Sequence, residues 1–316
     1  MISEFIIENQ TTLESASFGF KETNDFLYKE DGLNWGYAPA NHSTYNYPGQ
    51  IGSYIAMTSV KERDVSIVGY VFYIPTYIEL RTKTRDELKE LVYENIKQKK
   101  KRLSGLVNPN DYLKIIIGDY YIQGKPSQSI EYGTTCEENN VYFCQFKISV
   151  FCNNPLFVRL KASHQALSES TPRFHFPLVL RNDRGVIMSI RRDFLVMGVE
   201  NEGDTEVGGI ITLSARGVIL NPSFENITTG QVIQITKTMQ PGEKIIINTN
   251  EGDQKGISGY VNGEYINYLR YWDYENSWIK FPKGTSLVGY ATENDSETLL
   301  DVSIDIFPGK YGLEEM

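Results

Sequence analysis

The stretch that decides the fold class is residues 145–151, with the sequence QFKISVF. Polar and apolar side chains alternate here with period two, which is the pattern of a β-strand with one buried face. Residues 64–74 begin with the same alternation and become continuously apolar, and residues 113–117 are short and rich in isoleucine. A Gly-Asp turn at 118–119 separates residues 113–117 from residues 120–122. These two segments are therefore predicted to form a β-hairpin.

One segment has helical periodicity. Thr84 and Glu87 form a capping-box signature, and the apolar residues that follow at helical spacing are Leu88, Leu91, Val92, Ile96 and Leu103. The pattern predicts a helix over residues 85–102. Its end is basic, with Lys97, Lys99, Lys100, Lys101 and Arg102, and cations at that end complement the helix dipole. The basic residues either form a solvated helix end or bind nucleic acid. The acidity of the whole chain favours the solvated helix end.

Strand periodicity lapses between Lys161 and Ser170, and Pro172 and Pro177 flank its return. We therefore predict a domain at 1–160, a linker at 161–175 and a second domain at 176–316. The second domain contains short strand patterns separated by Gly, Pro, Asn and Asp turns, which is typical of an antiparallel β-sandwich. These patterns are 176–180, 186–189, 209–215, 232–235, 244–248, 265–268 and 300–306. The predicted fold class is thus mainly β, with one α-helix in the first domain.

Composition narrows the functional classes. The 316 residues are enough for about two domains, and 21 tyrosines favour strands and subunit contacts. A formal net charge of −9 argues against binding to DNA or an anionic membrane surface. The start of the chain lacks the features of a signal peptide, and no apolar run is long enough to span a membrane. Together with three cysteines, Cys136, Cys144 and Cys152, this predicts assembly in a reducing cytoplasm.

Patterns that would carry catalysis or hold a cofactor are missing. His42, His164 and His175 stand far apart, outside any metal-ligand spacing. The sequence contains no GxSxG elbow, no phosphate-binding loop and no cysteine in a recognisable nucleophile context. We therefore predict a protein that is not an enzyme, with no catalytic, cofactor-binding or metal-binding residue.

Several turn and strand segments together resemble a known family. The strands at 64–69 and 146–157, with the helix between them, resemble the first domain of the distal tail proteins of siphophages. Residues 217–231 and 241–249, with the pattern NPxxxNxTTGQ…PGExIxINT, are similar to the second domain of that family, as is the Trp-x-x-x-Pro-x-Gly turn at 278–284.

The turn residues also have structural interpretations of their own. Pro222 is expected to hold Asn221 in extended geometry, Gly230 to allow positive φ, and Pro241-Gly242 to form a type II turn.

The resemblance implies a hexameric ring at the phage tail tip. The first domain would form the belt of that ring, and the second, a galectin-like sandwich, would project from it. The ring would join the major tail protein to the tail-associated lysin or hub protein, and in many phages it also holds the receptor-binding proteins. Such a ring has heterologous contacts, which need two different faces on each subunit. The localisation implied is the tail tip of the virion.

A carbohydrate-binding module acting as a host-surface adhesin is the competing interpretation. Trp272, Tyr274 and Trp278 are the candidate residues for stacking on sugar rings, provided that they are exposed on one face. Core packing is the alternative for Trp278. An unrelated secreted adhesin is a third class, against which the odd number of cysteines weighs.

Overall fold

The predicted strand around residues 145–151 is present and slightly longer, from Phe143 to Cys152. It pairs antiparallel with Arg63–Phe72 along ten residue pairs. The computed structural model describes residues 4–21, 23–36, 38–49, 51–135, 137–140, 142–172, 189–193, 196–251, 255–261, 263–273 and 277–313. Strands dominate it, and their pairing is antiparallel throughout the named ladders, which confirms a mainly β fold.

The chain divides into two units. Unit 1 comprises residues 1–160 and 311–316, and unit 2 comprises residues 161–310. The elements of unit 1 are β1 (Glu4–Asn9), β2 (Ser15–Gly19), β3 (Leu27–Asn34), β4 (Ala40–Tyr45), β5 (Tyr54–Val60), β6 (Arg63–Phe72), α1 (Tyr77–Thr82), α2 (Arg85–Leu106), β7 (Leu113–Ile117), β8 (Tyr120–Pro126), β9 (Glu131–Tyr132), β10 (Phe143–Cys152) and β11 (Phe157–Arg159).

Unit 1 is built around a sheet with strand order β2-β1-β7-β8-β10-β6-β3, with β9 beside β10 and β11 beside β8. Its core is aromatic. The rings of Phe5 and Phe18 stack at 5.1 Å, and those of Phe18 and Phe26 at 5.3 Å. Cys144 and Cys152 are fully buried in this core, as small apolar side chains would be. Cys136 lies outside the described residues.

Helix α2 ends four residues later than the sequence predicts. The capping box of Thr84 and Glu87 is present, but the helix continues to Leu106. Leu103 and Leu106 are buried, and burying each such side chain contributes about 2 kcal/mol, enough to extend the helix by a turn. The last turn therefore carries no basic residue, and the predicted role of the cations at the helix dipole is wrong.

Unit 1 contains a second helix, α1, whereas the sequence predicts only one. It is only six residues long and begins with its own capping box, in which the Thr76 hydroxyl accepts from the Glu79 amide and the Glu79 carboxylate accepts from Thr76. No residue of α1 is buried. Helical periodicity is too short to detect here, although the Thr-x-x-Glu signature is visible in the sequence.

A buried arginine holds the returning C-terminal segment in unit 1. Arg63 is 2% exposed, and its Nη2 donates to the carbonyl oxygen of Tyr311 at 2.5 Å. The guanidinium lies 4.7 Å from the centre of the Phe157 ring. Burial lowers the pKa of Arg63, but the group remains a cation at neutral pH, so its charge is stabilised by a carbonyl and an aromatic face.

Unit 2 contains two main sheets, with strand orders β12-β25-β16-β21-β22-β23 and β15-β24-β18-β19. Its strands are β12 (Ser163–Ala166), β13 (Ser168–Pro172), β14 (Ser189–Asp193), β15 (Val196–Asn201), β16 (Gly209–Ala215), β17 (Ile219–Leu220), β18 (Ser223–Asn226), β19 (Gln231–Gln234), β20 (Thr238–Met239), β21 (Lys244–Asn248), β22 (Gly256–Val261), β23 (Glu264–Asn267), β24 (Gly284–Ala291), β25 (Leu300–Ile306) and β26 (Gly309–Lys310).

Side chains from both sheets of unit 2 meet in one core. Ile211 and Ile247 come from the six-stranded sheet, and Phe224 and Val288 from the four-stranded one. Two packed antiparallel sheets form a β-sandwich. Asn226, the second Asn of the NPxxxN pattern, is fully buried, and its Nδ2 donates to the Lys280 carbonyl at 2.9 Å. This motif residue therefore has a structural role.

The predicted linker contains a strand. Ser163–Ala166 pairs with β25 at the edge of the six-stranded sheet, and Leu167 is fully buried. The strand is polar because an edge strand can expose much of its surface, so its sequence lacks an apolar face. The predicted strands at 176–180 and 186–189 lie outside the described residues, except Ser189 in β14, and so does His175.

Asn221 also differs from its predicted geometry. Its φ is +46°, in the left-handed region, whereas the following proline was expected to hold it extended. Asparagine tolerates this region better than most residues do. Its Nδ2 donates to Glu293 Oε2 at 2.8 Å, which fixes the turn between β17 and β18. Gly230 and Gly242 have positive φ as predicted.

Candidate assembly surface

The hairpin formed by β4 and β5, residues 40–60, is an exposed element of unit 1. The two strands pair with each other from Ala40 opposite Val60 to Tyr45 opposite Tyr54, and with no other named strand. Every residue of both strands is exposed. Residues 32–34 lie in β3 and residues 40–45 in β4, although the sequence predicts no strand in either place.

Large apolar side chains occupy both faces of the hairpin. Cross-strand partners share a face, so Tyr45, Tyr54 and Met57 lie on one face and Ile55 and Val60 on the other. The exposed fraction of these side chains is between 41% and 64%. The ring of Tyr45 lies 5.2 Å from that of Tyr54, which makes a small aromatic cluster. A two-stranded ribbon without a packed face is marginally stable in water, so this one is suited to binding a partner.

Charge is absent from the whole segment. Residues 32–60 contain no Asp, Glu, Lys or Arg over 29 positions. At the chain average of 22% charged residues, a segment of this length would carry about six. Exposed strand edges are usually protected from association by charges, especially lysine. The hairpin lacks that protection, and copies of it would not repel one another.

The base of the hairpin is rigidly anchored. Trp35 is 8% exposed, and its ring lies 5.7 Å from that of Phe5 and 6.2 Å from that of Phe157. Gly36 follows with a φ of +63°, and its amide donates to Asn34 Oδ1 at 2.9 Å. A Cβ at Gly36 would lie 2.1 Å from the carbonyl oxygen of Asp64. The hairpin therefore leaves the sheet at a position that only glycine can occupy.

Replacing Gly36 by alanine is expected to destabilise unit 1 by about 3 kcal/mol, because backbone strain and the clash with Asp64 add together. Gly49 is the matched control, since its φ is also positive, at +86°, but its Cβ would meet nothing within 4 Å. Gly49→Ala should cost about 1 kcal/mol from strain alone. Thermal unfolding measures both variants, and equal melting temperatures would contradict the role of Gly36.

A second exposed apolar patch surrounds α1. Ile74, Tyr77, Ile78 and Leu80 have exposed fractions between 56% and 72%. The patch follows the C-terminal end of β6, whereas the hairpin precedes its N-terminal end. A ten-residue strand spans about 30 Å, so the two segments join β6 at points about 30 Å apart. Unit 1 thus offers two different surfaces for contact.

Two cations of the basic segment 97–102 in α2 make contacts inside unit 1. Arg102 Nη1 donates to Asp25 Oδ1 at 2.5 Å, and Arg102 Nη2 donates to the Ser15 carbonyl at 3.0 Å. Lys99 Nζ donates to the Asp25 carbonyl at 3.3 Å and lies 5.4 Å from the centre of the Phe72 ring. Burial lowers the pKa of Lys99. These contacts attach the helix to the sheet, which leaves fewer cations for a nucleic-acid surface than the sequence implied.

The candidate sugar-stacking residues fall in unit 2. The rings of Trp272 and Trp278 lie 4.5 Å apart at 41°, and both are half-buried against the core. Lys255 Nζ lies 5.4 Å from the centre of the Trp278 ring. Tyr274 lies outside the described residues. The two candidate tryptophans thus pack against each other at a tilt.

The described part of the chain offers neither a metal site nor a membrane-spanning helix. Within it, no group of three His, Cys, Asp or Glu residues could hold a metal ion. His42 pairs with Thr58 in the hairpin and His164 with Asp305 in unit 2. Among the described helices, none is long and apolar enough to cross a membrane.

Comparison with known proteins identifies the fold. No family model matches the sequence, and no curated protein matches it. The solved structure of the phage SPP1 Dit protein, described as a paradigm of hub adsorption apparatus in Gram-positive infecting phages, matches with a TM-score of 0.58 and 11% identity, over 96% of this chain and 98% of that chain.

The phage P2 baseplate in its activated conformation also matches. Its Ca form has a TM-score of 0.46 and 11% identity, over 96% of this chain and 98% of that chain. Its Sr form has a TM-score of 0.47 and 10% identity, over 97% of this chain and 98% of that chain. The SPP1 Dit match extends over almost the whole chain. The resemblance predicted from sequence is therefore confirmed at the level of the fold.

Proposed function

We propose that this protein is a structural, non-enzymatic component of a phage tail tip that assembles into a hexameric ring through the hairpin at residues 40–60. The observation that carries the proposal is the exposed, uncharged and apolar character of this hairpin. The fold shared with a phage Dit protein supports the location at the tail tip. The number of six copies rests on the resemblance to distal tail proteins.

Unit 1 is proposed as the belt of the ring. A closed ring needs heterologous contacts, in which one face of a subunit binds a different face of the next. The hairpin and the patch of Ile74, Tyr77, Ile78 and Leu80 are two such faces, on opposite ends of β6. Pairing between the hairpin of one subunit and its neighbour would also satisfy the open strand edges of the ribbon.

The partners proposed are the major tail protein on one side of the ring and the tail-associated lysin or hub protein on the other. A wall formed by uncharged hairpins would offer no cation to phosphate groups, which supply most of the non-specific affinity for DNA. Passing DNA would therefore not be retained. A host-cell cytoplasm is the proposed place of assembly, and the virion tail tip the final location.

Hydrogen–deuterium exchange on the full chain, at low and high protein concentration, tests the role of the hairpin. We expect amides of residues 40–60 to exchange rapidly in the dilute protein and to become protected as the protein assembles. Amides in the buried strand β10 should be protected under both conditions and serve as the internal control. Assembly without any protection of residues 40–60 would contradict the proposal.

A further inference from the structure

A cavity of about 490 Å³ lies on the outer face of the six-stranded sheet of unit 2. Ile245, Ile247 and Ile257 point into the core of the sandwich, so the alternating residues of β21 and β22 face outward. The cavity is lined by Ile210, Ile246, Asn248, Ser258, Tyr265 and Asn267, with Lys255 at one side. Its volume is within the range of small-molecule sites.

An exposed aromatic ring stands beside an apolar floor in this cavity. Tyr265 is 70% exposed, and its ring lies 4.9 Å from that of Tyr260, its cross-strand partner. Ile210 and Ile246 supply the apolar floor. A flat apolar surface next to an exposed tyrosine suits the apolar C–H face of a sugar ring, which stacks on aromatic side chains.

Two asparagines provide oriented hydrogen-bond donors. Asn248 Oδ1 accepts from the Asn250 amide at 3.1 Å, and Asn267 Oδ1 accepts from the Leu269 amide at 2.9 Å. These bonds orient the two side-chain amides. Among the described residues, neither Nδ2 group has a hydrogen-bond acceptor. Each can therefore donate to a ligand hydroxyl, and the Ser258 hydroxyl can donate or accept beside them.

The charge of the cavity is balanced. Lys255 is its one charged lining residue in the described part of the chain, and its Nζ lies 3.3 Å from both carboxylate oxygens of Glu251. The pKa of Glu251 lies below its usual value, because the hydrogen bonds and charges of Lys255 and Lys280 outweigh the effect of burial. The site therefore offers no uncompensated charge to attract an anion.

We propose that this face of unit 2 binds a neutral saccharide, with the sugar ring on Tyr265 and its hydroxyls on Asn248, Ser258 and Asn267. The site differs from the tryptophan residues that the sequence suggested, and it does not depend on ring assembly. The contact area fits one or two sugar rings, for which an affinity in the millimolar range is expected.

Saturation-transfer difference NMR on the full chain with glucose, galactose, N-acetylglucosamine and lactose tests the proposal. At least one of these sugars should bind, and Tyr265→Ala should weaken its affinity about tenfold because the stacking surface is removed. Tyr265→Phe keeps the ring and should change the affinity less than about twofold. Tyr93→Ala, which removes another exposed tyrosine from α2, should leave it unchanged.

Three results would overturn the proposal. One is the absence of binding by every sugar tested, and another is equal affinity of the wild-type protein and Tyr265→Ala. The third is preferential binding of a glycerol-phosphate polymer, which would show that the site selects anionic groups. Since Tyr265 is exposed, the variant should fold normally, and its thermal unfolding curve is the check.

Discussion

A chain carrying Tyr54→Asp and Ile55→Asp is expected to fold normally and to lose its assembly. The two side chains are 55% and 54% exposed in the single chain, so their replacement removes no core packing. They lie on opposite faces of the hairpin, and an aspartate on either face would be desolvated in any subunit contact. We expect the protein concentration needed for assembly, as measured by light scattering, to rise by about a hundredfold.

The matched control places the same charges on another exposed apolar pair. Val218→Asp and Ile227→Asp replace side chains of unit 2 that are 49% and 43% exposed. This variant has the same net charge as the hairpin variant but leaves residues 40–60 intact. It should assemble like the wild-type protein. Loss of assembly in both variants would indicate that net charge, and not the hairpin, decides association.

Replacing Glu243 by glutamine is expected to destabilise unit 2 by about 3 kcal/mol, because it leaves a nearly buried lysine without its counter-charge. Glu243 is 5% exposed, and its Oε1 accepts from Lys237 Nζ at 2.5 Å and from the Tyr268 hydroxyl at 2.7 Å. Its Oε2 accepts from the Gln240 amide at 3.0 Å. Thermal unfolding of the full chain measures the loss.

The effect of Glu243→Gln should depend on pH. Burial alone would raise the pKa of Glu243, but hydrogen bonds from Lys237, Tyr268 and Gln240 outweigh it and hold this pKa below its usual value. Burial and the bond to Glu243 raise the pKa of Tyr268 to about 12. The stabilisation is therefore complete above the unfolded pKa of Glu, about 4.3, and is lost as the pH falls through the lower folded value.

Glu206→Gln is the control for this prediction. Glu206 also accepts from a lysine, Lys280, at 3.0 Å, but its side chain is 55% exposed. An exposed ion pair contributes less than about 1 kcal/mol, so this variant should melt close to the wild-type protein. Equal stability of the two variants would contradict the role assigned to Glu243.

The sequence predicts those strands that have one buried face. The patterns at 209–215, 244–248 and 300–306 coincide with β16, β21 and β25, because alternate residues of these strands enter the core. Three other strands, β4, β5 and β12, give no such signal, whereas β23 is exposed throughout and is still predicted because its residues are aromatic and β-branched. β4 and β5 are exposed on both faces and β12 lies at a sheet edge, so their sequences lack periodicity.

The assembly surface is harder to predict because it is defined by exposure. Tyr45, Tyr54 and Ile55 would be assigned to a core from their chemistry alone, and only the fold leaves them uncovered. One signal in the sequence was available, namely the 29 uncharged residues at 32–60. The cavity at Tyr265 depends on the register of β21, β22 and β23, which brings Ile246, Ser258 and Asn267 into one row. Sequence spacing does not determine that register.

Negative-stain electron microscopy of the concentrated full chain tests the central claim most directly. We expect class averages of a closed ring with six-fold symmetry, and the same ring from the Val218→Asp, Ile227→Asp control. The Tyr54→Asp, Ile55→Asp variant should give monomers only. A two-fold dimer, or a monomer at every concentration up to the solubility limit, would contradict a ring formed through the hairpin.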